Sequence, residues 1–257
     1  MPSTHRLQAN FSQRIGQEIP LPAGAKGMYF FGTGGDGNNG NRVAGGAAPI
    51  VLGSPAYSSN YVTCGYNGSA SNCLDLNLQR SAAVLAAGWT WAAVWRGNAA
   101  AGATAGNIIA DNGGGGGTAP AGATICGFSY QSPTSFNTYI HSSGNAIRAT
   151  FVLPVHNGGS WHFSAETYTG GAAGTWSLNE FSDAPAGGTP VTYVASGLAS
   201  GTNSPTIGTL VPPWTNTYTY LVDCAWAMVS QGPMLQADLA TLAAAVRPWL
   251  ARRGIVA

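Results

Sequence analysis

The sequence predicts an all-β fold, an antiparallel sandwich closed by one C-terminal amphipathic helix. Three observations predict it: many short apolar runs, turn-forming pairs between them, and a single change of hydrophobic period near the C-terminus. Short apolar runs bounded by Gly, Asn, Ser and Pro are the signature of strands, and helices between them would need longer runs at a 3.6-residue period. Strands in succession with no helical segments between them argue for two packed antiparallel layers over a parallel α/β sheet.

Residues 1–25 are polar and aperiodic, running into Ile19-Pro20-Leu21-Pro22, and read as an N-terminal arm. Residues 26–257 hold the sandwich. Its strands are expected at Met28–Phe31, Ile50–Leu52, Tyr61–Thr63, Leu74–Leu78, Trp89–Trp95, Asn107–Ala110, Ile125–Tyr130, Ala146–Leu153, Trp161–Tyr168, Thr175–Leu178 and Thr192–Val194. Asp36-Gly37, Asn67-Gly68, Asn112-Gly113 and Asn157-Gly158 mark turns, and Gly113–Gly117 reads as a loop tip. From Tyr218 the even positions carry Tyr218, Tyr220, Val222, Cys224, Trp226 and Met228, with smaller or more polar residues between. Strand side chains alternate between faces, so this run places its large residues on one buried face. After Gly232-Pro233 a helix is expected over 234–253. Leu235, Leu239, Leu242, Val246 and Trp249 recur at steps of three or four, and Gly254 stands where the helix should stop.

Composition excludes several functions. Only 7% of residues are charged, against ~25% in an average domain. The net charge is +1, and the ten Lys and Arg form no visible patch, so nucleic acid is not an expected partner. No apolar run approaches the ~18 residues of a membrane-spanning helix, and Met1–Gln8 has no apolar stretch of the kind a secretory signal carries. Cys64, Cys73, Cys126 and Cys224 allow three pairings, and Asn67-Gly68 between the first two would let a hairpin bring them together. In a reducing compartment they are expected as buried free thiols. They show no Cys-x-x-Cys spacing, and His5, His141, His156 and His162 complete no metal set, so neither metal nor cofactor is expected.

Candidate chemistry is sparse. Gly32-Thr33-Gly34-Gly35-Asp36-Gly37 has the dinucleotide-binding glycine spacing, but Asn38–Gly46, which follows, cannot start the required helix. Sugar cleavage needs two carboxyl groups flanking the glycosidic bond. Glu18, Glu166 and Glu180 are the only glutamates. Glu166 shares a strand face with His162, an arrangement that reads as a polar contact and not as a catalytic pair. No Gly-x-Ser-x-Gly elbow exists around Ser160 or Ser200. Asp111-Asn112 is the one calcium candidate, and it reads as a turn. Trp89, Trp91 and Trp95 share one parity and are expected in the core, with Trp226 and Trp249 between the last strand and the helix. Trp176, Trp214 and Tyr168 adjoin Gly- or Pro-rich loops and, with Asn112 and Asn203, are the candidate sugar-binding residues: rings to stack on a sugar face, amides to bind its hydroxyls.

The segment from the Tyr218 strand through Gly232-Pro233-Met234-Leu235 to Trp249-Leu250-Ala251-Arg252-Arg253-Gly254-Ile255 resembles the end of concanavalin A-like (laminin-G-like) jelly rolls. Gly88–Arg96, Asn107–Asp111, Gly159–Ala165 and Ser204–Leu210 are similar to that family's preceding strands in the same order, so the likeness covers residues 81–255. The resemblance implies a jelly roll, and many such domains occur in bacteriophage virion appendages. It therefore implies a non-enzymatic structural or adhesive subunit of a tail or head fibre, or a capsid decoration. Such a subunit would sit in a virion assembled in the host cytoplasm and freed by lysis. It would meet neighbouring virion proteins through the arm, bind host-surface polysaccharide through the sandwich, and form a homo-oligomer. A purely capsid-stabilising protein and a glycan hydrolase on the same fold are the alternatives.

Overall fold

The computed structural model describes residues 19–33, 40–66, 71–79, 81–98, 106–111, 124–132, 135–142, 145–152, 159–182, 187–194, 204–208 and 220–257, with the backbone alone at 71, 106–107, 124–152 and 220. The described strands are β1 (Ala25–Phe30), β2 (Ile50–Leu52), β3 (Ala56–Tyr57), β4 (Val62–Tyr66), β5 (Ser71–Asp75), β6 (Trp89–Gly97), β7 (Gly106–Asp111) and β8 (Thr124–Ser132). They continue with β9 (Ser135–Ser142), β10 (Asn145–Val152), β11 (His162–Tyr168), β12 (Thr175–Glu180), β13 (Val191–Val194), β14 (Pro205–Ile207) and β15 (Tyr220–Gln231). Two helices join them, α1 (Ala82–Ala87) and α2 (Gln236–Ala251).

Every described pairing is antiparallel, and the strands form two layers. In the first, β15 pairs with β6, which continues through β11 and β12 to β13. The other edge of β15 is shared, with β4 against its first half and β1 against its second. The second layer runs β5–β14–β7–β8–β9–β10, with β2 beside β5. The β4–β5 pairing, Gly65 opposite Asn72 and Tyr66 opposite Ser71, carries the chain from one layer to the other. The result is an all-β jelly-roll sandwich with a C-terminal helix.

Alternation along the first layer makes two cores. Trp89, Trp91, Ala93 and Trp95 of β6 point inward with Tyr168, Trp176 and Leu178, and meet Leu74, Ile109 and Ile207 of the second layer. Ala92 and Val94 point outward with Phe163, Ala165, Met28 and Phe30, and are covered by α2. The helix buries Leu239, Leu242, Ala243, Val246, Trp249 and Leu250, and each large side chain so buried contributes about 1.5–3 kcal/mol. Alanines at 92, 165 and 225 leave the helix room to approach the sheet, while Phe163 stacks on Trp226 at 5.2 Å. Gly254, at φ +72°, ends the helix: its N–H and that of Ile255 close back on the carbonyls of Ala251 and Leu250, and Ile255 is buried beneath. Ile19, the first described residue, is also buried in this outer core, so the polar segment before β1 is fixed to the sandwich at its end.

Four local expectations change. The even positions of the last strand do not share one face, because a β-bulge between Cys224 and Trp226 reverses the parity. Val222 and Cys224 face the inner core, whereas Trp226 and Met228 face the helix. Leu235 is not part of the helical stripe; it precedes α2 in extended conformation and is 72% exposed. The Leu74–Leu78 run leaves the sheet at Asp75, whose carboxylate accepts the Asn77 N–H and turns the chain. Finally, α1 is a helix where none was expected. Ser81 Oγ accepts the Val84 N–H at its start, and Gly88 (φ +76°) ends it, where any Cβ would lie 2.0 Å from the Tyr168 carbonyl oxygen.

Cys64, Cys73 and Cys224 are free thiols buried in the core, and Cys126 lies on a strand described by its backbone. Burial pushes the Cys73 thiol up to about 12, and pushes Cys64 and Cys224 upward as well, with further thiols and Asp223 nearby adding to the shift. A raised acid value means that the fold favours the neutral thiol. This stability is fully present below the ordinary thiol value near 9 and is lost as pH climbs toward about 12. A Cys126→Ser chain should therefore show no reaction with Ellman's reagent at pH 8 until denatured, and its denaturation midpoint should fall above pH 9. Rapid labelling of the native chain, or a midpoint flat from pH 8 to 11, would contradict this burial.

Candidate ligand cleft at one end of the sandwich

A cleft of about 350 Å³ opens where the first residues of β1, β6 and β14 meet the last residues of β15 and the segment that follows β5. Leu78, Val84, Trp89, Trp91, Pro205 and Val229 form its apolar lining. Lys26, Asn77, Gln79, Ser230 and Gln231 supply its polar groups. That volume falls within the ~300–1,000 Å³ of small-molecule sites, which are also mostly apolar with a few placed polar groups.

Local structure sets each wall. Trp89 and Trp91 lie two apart on β6, with ring centroids 5.5 Å apart and planes 23° from parallel. Opposite them, Val229 and Gln231 are held by β15 register, Val229 against Trp91 and Gln231 against Trp89. Lys26 sits at the irregularity between Ala25 and Gly27 in the β1–β15 ladder. Its carbonyl accepts from Asn41 Nδ2 at 2.9 Å, and the same amide group binds the Ala47 carbonyl and, through Oδ1, the N–H groups of Met28 and Val43. Asn77 is the one described non-glycine residue with positive φ (+54°), which Asn tolerates better than most, and this conformation carries the chain past the cleft. Beside it, Tyr29 donates to the Leu76 carbonyl; burial and the charge of Asp75 push its phenol well above the ordinary range, so it stays protonated.

The residues chosen from sequence as sugar platforms lie elsewhere. Trp176 and Tyr168 are both fully buried, and so cannot offer a face to a ligand. They sit directly opposite each other on β12 and β11, and both pack on Trp89, at 5.2 and 4.5 Å between centroids. The Tyr168 hydroxyl is closed inside the β11–β12 turn, donating to the Gly171 carbonyl and accepting the Gly174 N–H. The Gly-rich segment beside them is thus a tight turn that buries its flanking rings. They form the layer beneath the cleft. Trp214, Asn112 and Asn203 lie outside the described residues, as do residues 34–37 of the glycine motif; no helix follows that motif among the described residues.

His162 and Glu166 do share a face of β11, and both are fully buried between the layers. The structure adds partners that the sequence did not indicate. Ser164 Oγ donates to Glu180 Oε2, Trp95 Nε1 donates to Ser164 Oγ at 3.0 Å, and His162 Nδ1 lies 3.8 Å from Glu180 Oε1. Serine, histidine and a carboxylate are therefore adjacent, but the serine bonds the acid and not the imidazole. A nucleophile needs its proton taken by the base and a path to substrate. Here the hydroxyl proton points at a carboxylate, and all of these side chains are sealed in the core. Among the described residues, no group of three or more His, Cys, Asp and Glu forms a metal set, and no helix is long and apolar enough to cross a membrane.

The arrangement of layers can be placed among solved structures. The binding domain of botulinum neurotoxin DC, in complex with rat synaptotagmin II, is similar at TM-score 0.57 and 10% identity over 86% of this chain and 52% of that one. The same neurotoxin binding domain in complex with SialylT gives 0.56 and 10% identity, over 85% of this chain and 50% of that one. A mutant Trypanosoma rangeli sialidase displaying trans-sialidase activity gives 0.54 and 10% identity, over 93% of this chain and 39% of that one. The likeness is one of fold. This chain spans about half the length of those neurotoxin domains. No family model matches the sequence, and no curated protein does.

Proposed function

We propose that this chain is a non-catalytic glycan-binding module of a virion appendage, taking a neutral sugar in the Trp89–Trp91 cleft. One observation carries the reading: the polar lining consists of three amides, one hydroxyl and one ammonium, with no carboxylate, beside two indoles. Amides and hydroxyls match sugar hydroxyls, while Trp89 and Trp91, 1% and 4% exposed, are the buried floor on which those polar groups are mounted and offer no open ring face. Glycoside hydrolysis would need paired carboxyl groups, and Glu166 and Glu180 are both buried between the layers. The fold adds support, since one structure sharing it holds SialylT. The virion setting rests on the family resemblance of residues 81–255, and residues 1–18 are the segment we assign to anchorage on neighbouring virion subunits.

The test is a glycan array followed by calorimetry on the best neutral ligand. A Gln79→Ala, Gln231→Ala double variant should lose at least about tenfold in affinity, or 1.4 kcal/mol, with an unchanged denaturation midpoint. Asn77→Gly keeps the positive-φ turn while removing its amide, so a loss there is a loss of contact and not of fold. Unchanged affinity in these variants would remove the cleft from the reading. Release of reducing sugar by the native chain, abolished in Glu166→Gln, would replace binding by hydrolysis. Deleting residues 1–18 should abolish association with particles while leaving glycan affinity intact; retained association would overturn the anchorage.

A further inference from the structure

On the outer face of the first layer, away from the cleft, Arg96 is held in an unusual way. Its Nε donates to Asp223 Oδ2 at 2.8 Å, and the other oxygen of Asp223 is already taken by Thr63 Oγ1 at 2.7 Å and Asn98 Nδ2 at 3.0 Å. The guanidinium carbon lies 4.8 Å from the ring centroid of Tyr61 and 4.7 Å from that of Trp161. Those two rings meet edge to face at 5.6 Å. The Arg96 side chain is 29% exposed while that of Asp223 is 3% exposed.

An arginine recruited only to neutralise a buried aspartate would use two parallel N–H bonds, the favoured geometry of that pair. Here Asp223 is satisfied through Nε, a hydroxyl and an amide. The two terminal amino groups of Arg96 make no hydrogen bond to a described residue. The edge they form is the planar fork that receives a carboxylate, and the aspartate and both rings fix it in advance. Little side-chain entropy then remains to be lost on binding. Asn60, next to Tyr61, binds the Arg253 carbonyl, which brings the end of α2 with Arg252 and Arg253 to the same side.

We infer that Arg96, flanked by Tyr61 and Trp161, is a binding site for the carboxylate of an acidic sugar. The fork takes the carboxylate, and the two rings border the pyranose that carries it. This site shares no residue with the cleft, so its failure leaves the neutral-sugar reading standing, and the reverse also holds.

The probe is a glucuronate-containing oligosaccharide, compared with its uncharged methyl ester, with acetate, and with a polyglutamate peptide. The acid should bind at least about tenfold tighter than its ester at low salt. Arg96→Lys keeps the charge but removes the planar fork, and should abolish that preference while the Gln79→Ala, Gln231→Ala variant keeps it. A second measurement requires no variant: in the native chain the acid, but not the ester, should shift the Trp161 indole N–H resonance. Equal binding of acid and ester, an unmoved Trp161 signal, or a preference surviving in Arg96→Lys would each overturn the inference. Acetate or polyglutamate matching the oligosaccharide would show a general carboxylate site and overturn its assignment to a sugar.

Discussion

Trp176→Ala should destabilise the fold by about 3–5 kcal/mol, the range for removing a buried tryptophan, and denaturant unfolding would measure it as a lowered midpoint. The side chain is fully buried, stands across from Tyr168, and packs edge to face on Trp89. Removing it withdraws a wall from both rings at once, and the Gly170–Gly174 turn above them has no large side chain with which to fill the hole. Against a total stability of about 5–15 kcal/mol, such a loss is a large fraction of what holds the fold. A surface platform would behave in the opposite way, with ligand affinity lost and stability within about 0.5 kcal/mol of the parent. That second pattern would mean that Trp176 faces solvent and that the β11–β12 turn is arranged differently.

Asp223→Ala should cost about 3 kcal/mol, since removing one partner of a buried ion pair leaves the other uncompensated. Asp223 is 2% exposed and accepts from three side chains on two segments: Thr63 on β4, and Arg96 and Asn98 at the end of β6. Its loss strands two neutral donors as well as the charge, although Arg96, partly exposed, recovers some water and limits the damage. Asp223→Asn keeps one acceptor oxygen and should cost less. The comparison is read from two denaturation curves. Equal effects of the two substitutions would show that charge pairing and not hydrogen bonding holds this corner.

The parts of the fold legible in sequence are those where alternation is strict. Trp89, Trp91 and Trp95 share a parity and share a core, and the stripe of Leu239, Leu242, Val246 and Trp249 shares a helix face. The bulge in β15 was hidden because Ala225 and Ala227 are small on both sides of Trp226, so a reversal of face leaves no mark in the pattern of sizes. The helix α1 was hidden by its length, since Ala82–Ala87 is too short to show a period and only Ser81 and Gly88 mark its ends. The cleft was illegible for a different reason. Its polar residues come from residues 26, 77, 79, 230 and 231, and no local pattern links them. Proximity to glycine does not expose Trp176 and Tyr168, because a glycine turn that lets two strands pair closely buries the rings beside it.

The bulge in β15 also has a consequence for how the molecule comes apart. One strand supplies Val222, Cys224, Ala227 and Val229 to the space between the layers, and Ala225, Trp226 and Met228 to the space beneath α2. Neither compartment can loosen without moving the backbone that serves the other. Detachment of the helix and separation of the two sheets are thereby made a single cooperative event, leaving no half-open form to persist between the native and the denatured chain.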